Sequence, residues 1–311
     1  MIDIGAFQKL PVSEVARLVR EGGSRVCVFP INGTRRWFIL EHPDQAATQN
    51  LDAYLQTTWR QHIDVYRLIF DHGLDTLLTP IFGADLLERG DDYRSLVKPG
   101  LTWFTQNSEM LAFYETYDVR VRVYGDARRC LQKTAYAQVL NSFDEIARRT
   151  AHHRQRRLFF GVCANDPTET VIEIGWAFYQ AHDRLPDKRE VVEAYYSEYV
   201  EPVDLFIGFD RPAVYDMPLI ADGSEDLYFT VSPSLYLDAT TLRAILYDHL
   251  YARRVSEDYS QLTPADLQSL AEFYRLNRQH VIGIGRMGLG GSFWYPLPQV
   301  TLPSGMAGDH A

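Results

Sequence analysis

Residues 24–38 read SRVCVFPINGTRRWF. The first eight are apolar almost throughout and carry several β-branched or aromatic side chains, the pattern of a short strand buried on both faces. The character then changes at once, to Asn32-Gly33-Thr34-Arg35-Arg36-Trp37. A glycine lets the backbone come close to a ligand, and exposed amides beside two guanidiniums suit a phosphate or diphosphate. Adjacent arginines are common on surfaces; directly behind a buried strand and an Asn-Gly pair they are less so. On physical grounds alone two readings stay open, an anion site and a capped turn.

Five further runs resemble the first: LDTLLTPIF from Leu74, DVRVRVYG from Asp118, RRLFFGVC from Arg156, DLFIGF from Asp204 and LYFTVSPS from Leu227. Between them lie longer stretches with helical spacing. In 51–73, Leu51, Tyr54, Leu55, Trp59, Ile63, Tyr66, Ile69 and Phe70 fall on one helical stripe, with Asn50 available as a cap and Gly73 as a stop. Strand and helix alternating about six times define an α/β fold, one domain with a central, mostly parallel sheet flanked by helices. No linker, composition break or repeat divides residues 1–282, and the Gly/Pro-rich stretch 283–311 reads as an irregular tail. Ligands of such sheets bind beyond the carboxyl ends of the strands, so the residues just after each run are where chemistry is to be sought.

The composition narrows the partners. The net charge of -10 argues against a nucleic-acid surface and against adsorption to anionic lipid. Lysine occurs only at Lys9, Lys98, Lys133 and Lys188, so the other 27 of 31 basic residues are arginine and any anion site is arginine-built. No run approaches the ~18 apolar residues of a membrane span. The start, MIDIGAFQKL, lacks the layout of a secretory signal, which makes a cytoplasmic location the expectation. Cys27, Cys130 and Cys163 are odd in number and widely spaced, so neither a disulfide nor structural zinc is expected.

Several apparent motifs can be set aside. Gly283-Ile-Gly285-Arg-Met-Gly288 matches GxGxxG, but no helix-forming sequence follows it as a dinucleotide site requires. His152 and His153, beside Arg154, Arg156 and Arg157, read as a solvated basic turn with the two rings on opposite sides. Asp91-Asp92 and Asp144-Glu145 read as surface ion-pairing groups. His42, just beyond the loop, is a possible ligand contact or an exposed turn residue.

The loop CVFPINGTRRWF resembles the signature of the cis-prenyltransferases, an apolar strand followed by Met-Asp-Gly-Asn-Arg-Arg-Trp. Three more matches follow in order. TPIFGADLLER (79–89) resembles the segment Phe-Ser-Thr-Glu-Asn-Trp-x-Arg, with Arg89 at its last arginine; VRVRVYGDARR resembles Val-Arg-x-Arg-x-x-Gly-Asp; and DLYFTVSPS resembles Glu-Leu-Tyr-Phe-Thr, with Asp226 at the metal-binding glutamate. FPINGTRRWFILE, FIGFDRP, LYFTVSPS and TTLRAILYDHLYARR are similar to the divergent bacterial branch that includes tuberculosinyl adenosine transferase and the kolavelool-type diterpene synthases. This likeness covers most of the chain and implies a cis-prenyltransferase-like fold and a homodimer. It also implies a C20 prenyl diphosphate substrate, in many cases cyclised by a preceding enzyme.

The resemblance distributes roles. Gly33, Thr34, Arg35, Arg36 and Arg89 are implied to hold the diphosphate. Asn32, Arg35, Arg36 and Tyr54 are the implied catalytic set, and Asp226 the implied metal ligand. Tyr54 matches a helix tyrosine important in that branch and also lies on the apolar stripe, so a pocket role and a core role both remain. Mg²⁺ is the implied cofactor, although Asn32 stands where the branch has aspartate. Family members that elongate chains need a second diphosphate pocket, and its arginine is here Gly208, with Arg211 nearby; the asparagine before the tryptophan is Leu86. Each lost charge-assisted hydrogen bond is worth roughly 1.5–3 kcal/mol, so elongation is disfavoured and a reaction of one diphosphate is expected. The expected reaction ionises the C20 diphosphate and quenches the allylic cation with water to give a diterpene alcohol. The alternatives are transfer to a nucleoside such as adenosine or another small nucleophile, and a catalytically silent prenyl-diphosphate-binding subunit.

Overall fold

The six apolar runs become the six strands of one sheet: β1 (Val26–Val28), β2 (Thr76–Phe82), β3 (Val119–Tyr124), β4 (Arg156–Val162), β5 (Leu205–Phe209) and β6 (Asp226–Thr230). The computed structural model describes residues 2–47, 51–84, 91–253, 259–291 and 293–297. The strand order is β3-β4-β2-β1-β5-β6 and every pairing is parallel. Strand β1 is short and lies beside β2 at the centre of the sheet. Its three residues are fully buried, Val26 and Val28 on one face and Cys27 on the other.

Helices cover both faces. In chain order they are α1 (Ile4–Gln8), α2 (Val12–Glu21), α3 (Thr34–Glu41), α4 (Pro43–Ala47), α5 (Leu51–Asp71), α6 (Asp91–Gln106), α7 (Ser108–Thr116) and α8 (Ala127–Leu131). They continue with α9 (Val139–Arg149), α10 (Thr168–His182), α11 (Lys188–Tyr196), α12 (Ala239–Tyr247) and α13 (Pro264–Asn277). On one face Val15, Val19, Tyr66, Ile69, Phe70, Phe113 and Leu246 pack with Cys27, Leu77 and Leu158. On the other, Tyr195 and Tyr196 of α11 pack with Val28, Phe159 and Phe206. A third cluster joins α6, α8 and α9 around Phe82, Leu101, Leu131, Phe143 and Val162.

The helical stripe of 51–73 forms α5, and Leu55, Ile63, Tyr66, Ile69 and Phe70 are buried on it as its spacing requires. Asn50 lies outside the described residues. Gly73 stops the helix at φ +99°, and a Cβ there would meet the Ala16 carbonyl oxygen at 2.6 Å, so no other residue fits.

Two expectations are corrected. Cys130 and Cys163 form a disulfide, with Cα atoms 6.6 Å apart. Their separation of 33 residues conceals their adjacency: β3 and β4 are neighbours, so α8, folding back after β3, meets the residue that follows β4. The 283–311 stretch is not wholly irregular either. Gly285–Gly288 (β7) and Phe293–Pro296 (β8) form an antiparallel hairpin, and the GxGxxG glycines are spent on it, since a Cβ on Gly285 would meet Trp294 at 2.2 Å.

Candidate active site

A cavity of about 800 Å³ opens beyond the carboxyl ends of β1, β2, β4 and β5, roofed by α5 and α6. This is where the chain turns from building one side of β1 to building the other, the place where an open parallel sheet leaves a crevice. Its volume lies in the range of about 300–1,000 Å³ usual for small-molecule sites. Leu55, Trp59, Ile81, Phe82, Leu101 and Phe104 make the interior apolar. The polar lining gathers Asn32, Thr34, Arg35 and Arg36 from the first loop, Tyr54 from α5, Asn165 after β4, and Tyr215 and Asp216 after β5. His62 also faces the cavity, and burial lowers its pKa to about 4, so it is neutral at physiological pH.

The loop after β1 is built to present amides. Gly33 adopts φ +74° and starts α3, with its carbonyl accepting from Trp37 at 2.9 Å. A Cβ on Gly33 would meet the Phe209 ring at 2.7 Å. No side chain caps this helix start, so the amides of its first turn remain available to an anion, and the helix dipole favours negative charge there. The Asn32 side chain does not cap this start, because its amide nitrogen donates to the Tyr215 hydroxyl. The loop is held from behind by buried Ser234, whose hydroxyl accepts from the Asn32 N–H at 3.0 Å and donates to the Pro30 carbonyl at 3.2 Å.

Arg36 lies over the Phe209 ring at 5.3 Å and within 3.6 Å of Asp210. Half-exposed and loosely paired, it costs little to redirect to a ligand. Tyr54 is hydrogen-bonded to Thr34 at 2.8 Å, so α5 is tied to the first turn of α3 across the cavity mouth. Both earlier readings of Tyr54 hold in part: it packs edge-on against Phe38 at 5.3 Å and also lines the cavity. His42 instead packs against Trp37 and Phe38 at the end of α3, away from the lining.

Asn32, Gly33, Thr34, Arg35, Arg36 and Tyr54 are therefore brought together, Arg89 and Leu86 lie outside the described residues, and Asp226 is placed elsewhere. Asp226 begins β6, at the amino end of the sheet, while the cavity opens at the carboxyl ends. At about 3.3 Å per residue, the strand alone separates it from the carboxyl edge by roughly 13 Å. Both its oxygens are engaged, by His249 Nδ1 at 2.6 Å and by Arg253 at 3.5 Å. The other nitrogen of His249 meets Ser24 Oγ at 2.6 Å. This Ser-His-Asp chain has the connectivity of a hydrolytic triad, but Ser24 is fully buried and no substrate reaches it; it fastens β6 to the chain before β1. Asn32 and Asp226 thus do not form a shared Mg²⁺ site within this chain. Asp226→Asn is expected to lower stability by about 1.5–3 kcal/mol while leaving turnover within twofold, checked by denaturant titration beside an activity assay.

Where the resemblance implies the arginine of a second diphosphate pocket, the chain is closely packed. Gly208 is buried, and a Cβ on it would lie 2.7 Å from Phe229 and 2.9 Å from Phe206. Arg211 reaches toward Met287 of the hairpin, 3.7 Å away, and does not line the cavity.

Motif reading missed Asn165, Tyr215, Asp216 and Ser234. The available signal was positional: Tyr215 and Asp216 follow the DLFIGF run, where the rule about strand ends directs attention. Asp216 is held at φ +57°, with its carbonyl accepting from the buried Tyr124 hydroxyl at 2.8 Å. Burial raises the pKa of the Tyr215 phenol, which keeps it protonated at physiological pH.

The six-stranded parallel sheet flanked by helices is that of the cis-prenyltransferases. A probable undecaprenyl diphosphate synthase from Campylobacter jejuni superposes with a TM-score of 0.53 at 12% identity, covering 76% of this chain and 99% of its own. Lavandulyl diphosphate synthase from Lavandula x intermedia, solved with dimethylallyl diphosphate, gives 0.50 at 10% identity over 74% of this chain and 97% of its own. No protein-family profile matches the sequence. Two characterised relatives do: tuberculosinyl adenosine transferase of Mycobacterium tuberculosis is 42% identical over 90% of this chain and 94% of its own, and (+)-kolavelool synthase of Herpetosiphon aurantiacus is 26% identical over 89% and 91%. The chain belongs to this family of enzymes, the tuberculosinyl adenosine transferase branch of the cis-prenyltransferase fold.

Proposed function

We propose that this enzyme takes one prenyl diphosphate of C20 size, breaks its allylic C–O bond and passes the resulting cation to a small nucleophile. The observation that carries this reading is the pairing of uncapped amides and guanidiniums at the start of α3 with one apolar cavity. The diphosphate lies against the Gly33–Arg36 turn, where Arg35 and Arg36 take up the charge that grows on the leaving oxygen. The hydrocarbon fills the cavity, contributing about 0.8 kcal/mol per buried methylene, and the faces of Trp59 and Phe104 stabilise the cation. Asn32 and Asp226, the residues implied for a metal, lie at opposite ends of the sheet and do not converge on one ion.

The nucleophile must lose a proton after attack. Tyr215 stays protonated, so Asp216 is the lining carboxylate that accepts it, with Tyr215 and Asn32 orienting the acceptor beside it. Adenosine is our first choice of acceptor and water our second. The relative at 42% identity, whose name specifies adenosine, favours adenosine over water, the acceptor expected from the sequence, more than the relative at 26% opposes it. Product analysis with and without adenosine separates the two.

Tyr54→Phe removes the link to Thr34. We expect about a tenfold loss in kcat, close to the 1.4 kcal/mol at the upper end for one neutral hydrogen bond, with KM little changed; steady-state kinetics checks it. A homodimer, as the resemblance implies, would cover α10, which buries none of its residues and exposes Ile172, Trp176 and Tyr179. Sedimentation of the wild type and of Trp176→Glu tests that assembly.

A further inference from the structure

The amino end of the sheet, remote from the cavity, holds a cluster that the reaction does not use. Glu115 comes from the last turn of α7, and His152 and His153 from the turn between α9 and β4. Their ligand atoms all lie within 4.8 Å of one another, the one such group of three among the described residues. The turn expected from the sequence is present, but the two rings do not lie on opposite sides of it: their centroids are 4.2 Å apart and His153 is buried.

The protons on His153 make the arrangement informative. Its Nδ1 lies 2.8 Å from the Val119 carbonyl oxygen. That oxygen has no hydrogen to give, so Nδ1 carries the proton and donates it. In a neutral ring, Nε2 then presents a lone pair, and it faces Glu115 Oε2 at 3.3 Å. Two acceptors pointed at each other across a buried ring need a cation between them, either a second proton on the ring or a metal ion.

We infer that Glu115, His152 and His153 bind a divalent first-row transition ion such as Zn²⁺. A histidine donating Nδ1–H to a backbone carbonyl is oriented in the way metal-bound histidines are. The second carboxylate oxygen of Glu115 lies 3.9 Å from Arg149, which steadies the group from outside. Two imidazoles and one carboxylate suit Zn²⁺ or Co²⁺ rather than Mg²⁺ or Ca²⁺, which prefer an all-oxygen set. His152 and Glu115 are exposed and free to swing inward to the 2.0–2.2 Å bonds that Zn²⁺ forms. The site would join the α7–β3 and α9–β4 connections across the base of the sheet.

The test titrates the full-length protein with Co²⁺, read by its visible absorption, and with Zn²⁺ by calorimetry. One equivalent is expected to bind. His152→Ala and Glu115→Gln, both at exposed positions, are each expected to weaken binding more than about tenfold, the least that even loss of an outer partner costs. Both variants are expected to keep the wild-type circular dichroism and rate of diphosphate release. Absence of binding to the wild type, with the His153 ring found as an imidazolium paired with Glu115, overturns the inference. So does binding that persists unchanged in both variants.

Discussion

Arg36→Ala is expected to reduce turnover more than about 100-fold while the protein remains folded. Removing one preorganised donor from a developing oxyanion costs roughly that factor in other enzymes, and a guanidinium on a diphosphate leaving group offers charge as well as hydrogen bonds. The structural cost is small. The side chain is 41% exposed and its ion pair with Asp210 spans 3.6 Å, a geometry worth about 0–1 kcal/mol. Circular dichroism and thermal unfolding should match the wild type, while diphosphate release falls to the background rate. An unchanged rate would remove Arg36 from the chemistry. Arg36→Lys is the informative companion: it keeps the charge but not the forked donors, so partial recovery is expected.

Gly208→Arg introduces the arginine that the resemblance implies for chain-elongating enzymes, and it is expected to unfold the site rather than create a new activity. The glycine is buried between Phe206 and Phe229, with no room even for a methyl group. Overpacking typically costs about 1–3 kcal/mol and an uncompensated buried charge several more. A loss of roughly 3 kcal/mol or more is expected, near 6–12 °C in Tm. A stable variant that added isopentenyl diphosphate to its substrate would refute the expectation that the Phe206 and Phe229 rings exclude a larger side chain here.

These two positions show how unevenly the sequence disclosed the molecule. The sheet was legible because strands buried on both faces must be apolar along their length, and each of the six runs could be read without its neighbours. The place of the loop from Asn32 to Trp37 at the cavity was legible because it directly follows a buried strand, where such sheets hold their ligands. What three-dimensional adjacency decides was not legible. Cys130 and Cys163 meet because β3 and β4 are neighbours, which spacing along the chain does not express. Asp226 matched a motif and yet begins its strand, so its side chain belongs to the far end of the sheet with His249. Tyr215 and Asp216 lie in an ordinary loop and gain meaning only from folding over Asn32. The absence of a side chain at 208 was visible as a letter; that Phe229 fills the space was not.

The central claim, that one cavity ionises one prenyl diphosphate and transfers the product cation, is tested most directly by following inorganic diphosphate and organic products together. The purified protein is incubated with geranylgeranyl, kolavenyl or halimadienyl diphosphate, with and without adenosine and with and without isopentenyl diphosphate. We predict stoichiometric release of diphosphate from at least one of the three, with adenosine carrying the C20 group when present and an alcohol forming when it is absent. Tight binding without release of diphosphate, or a product lengthened by five carbons, would contradict the account.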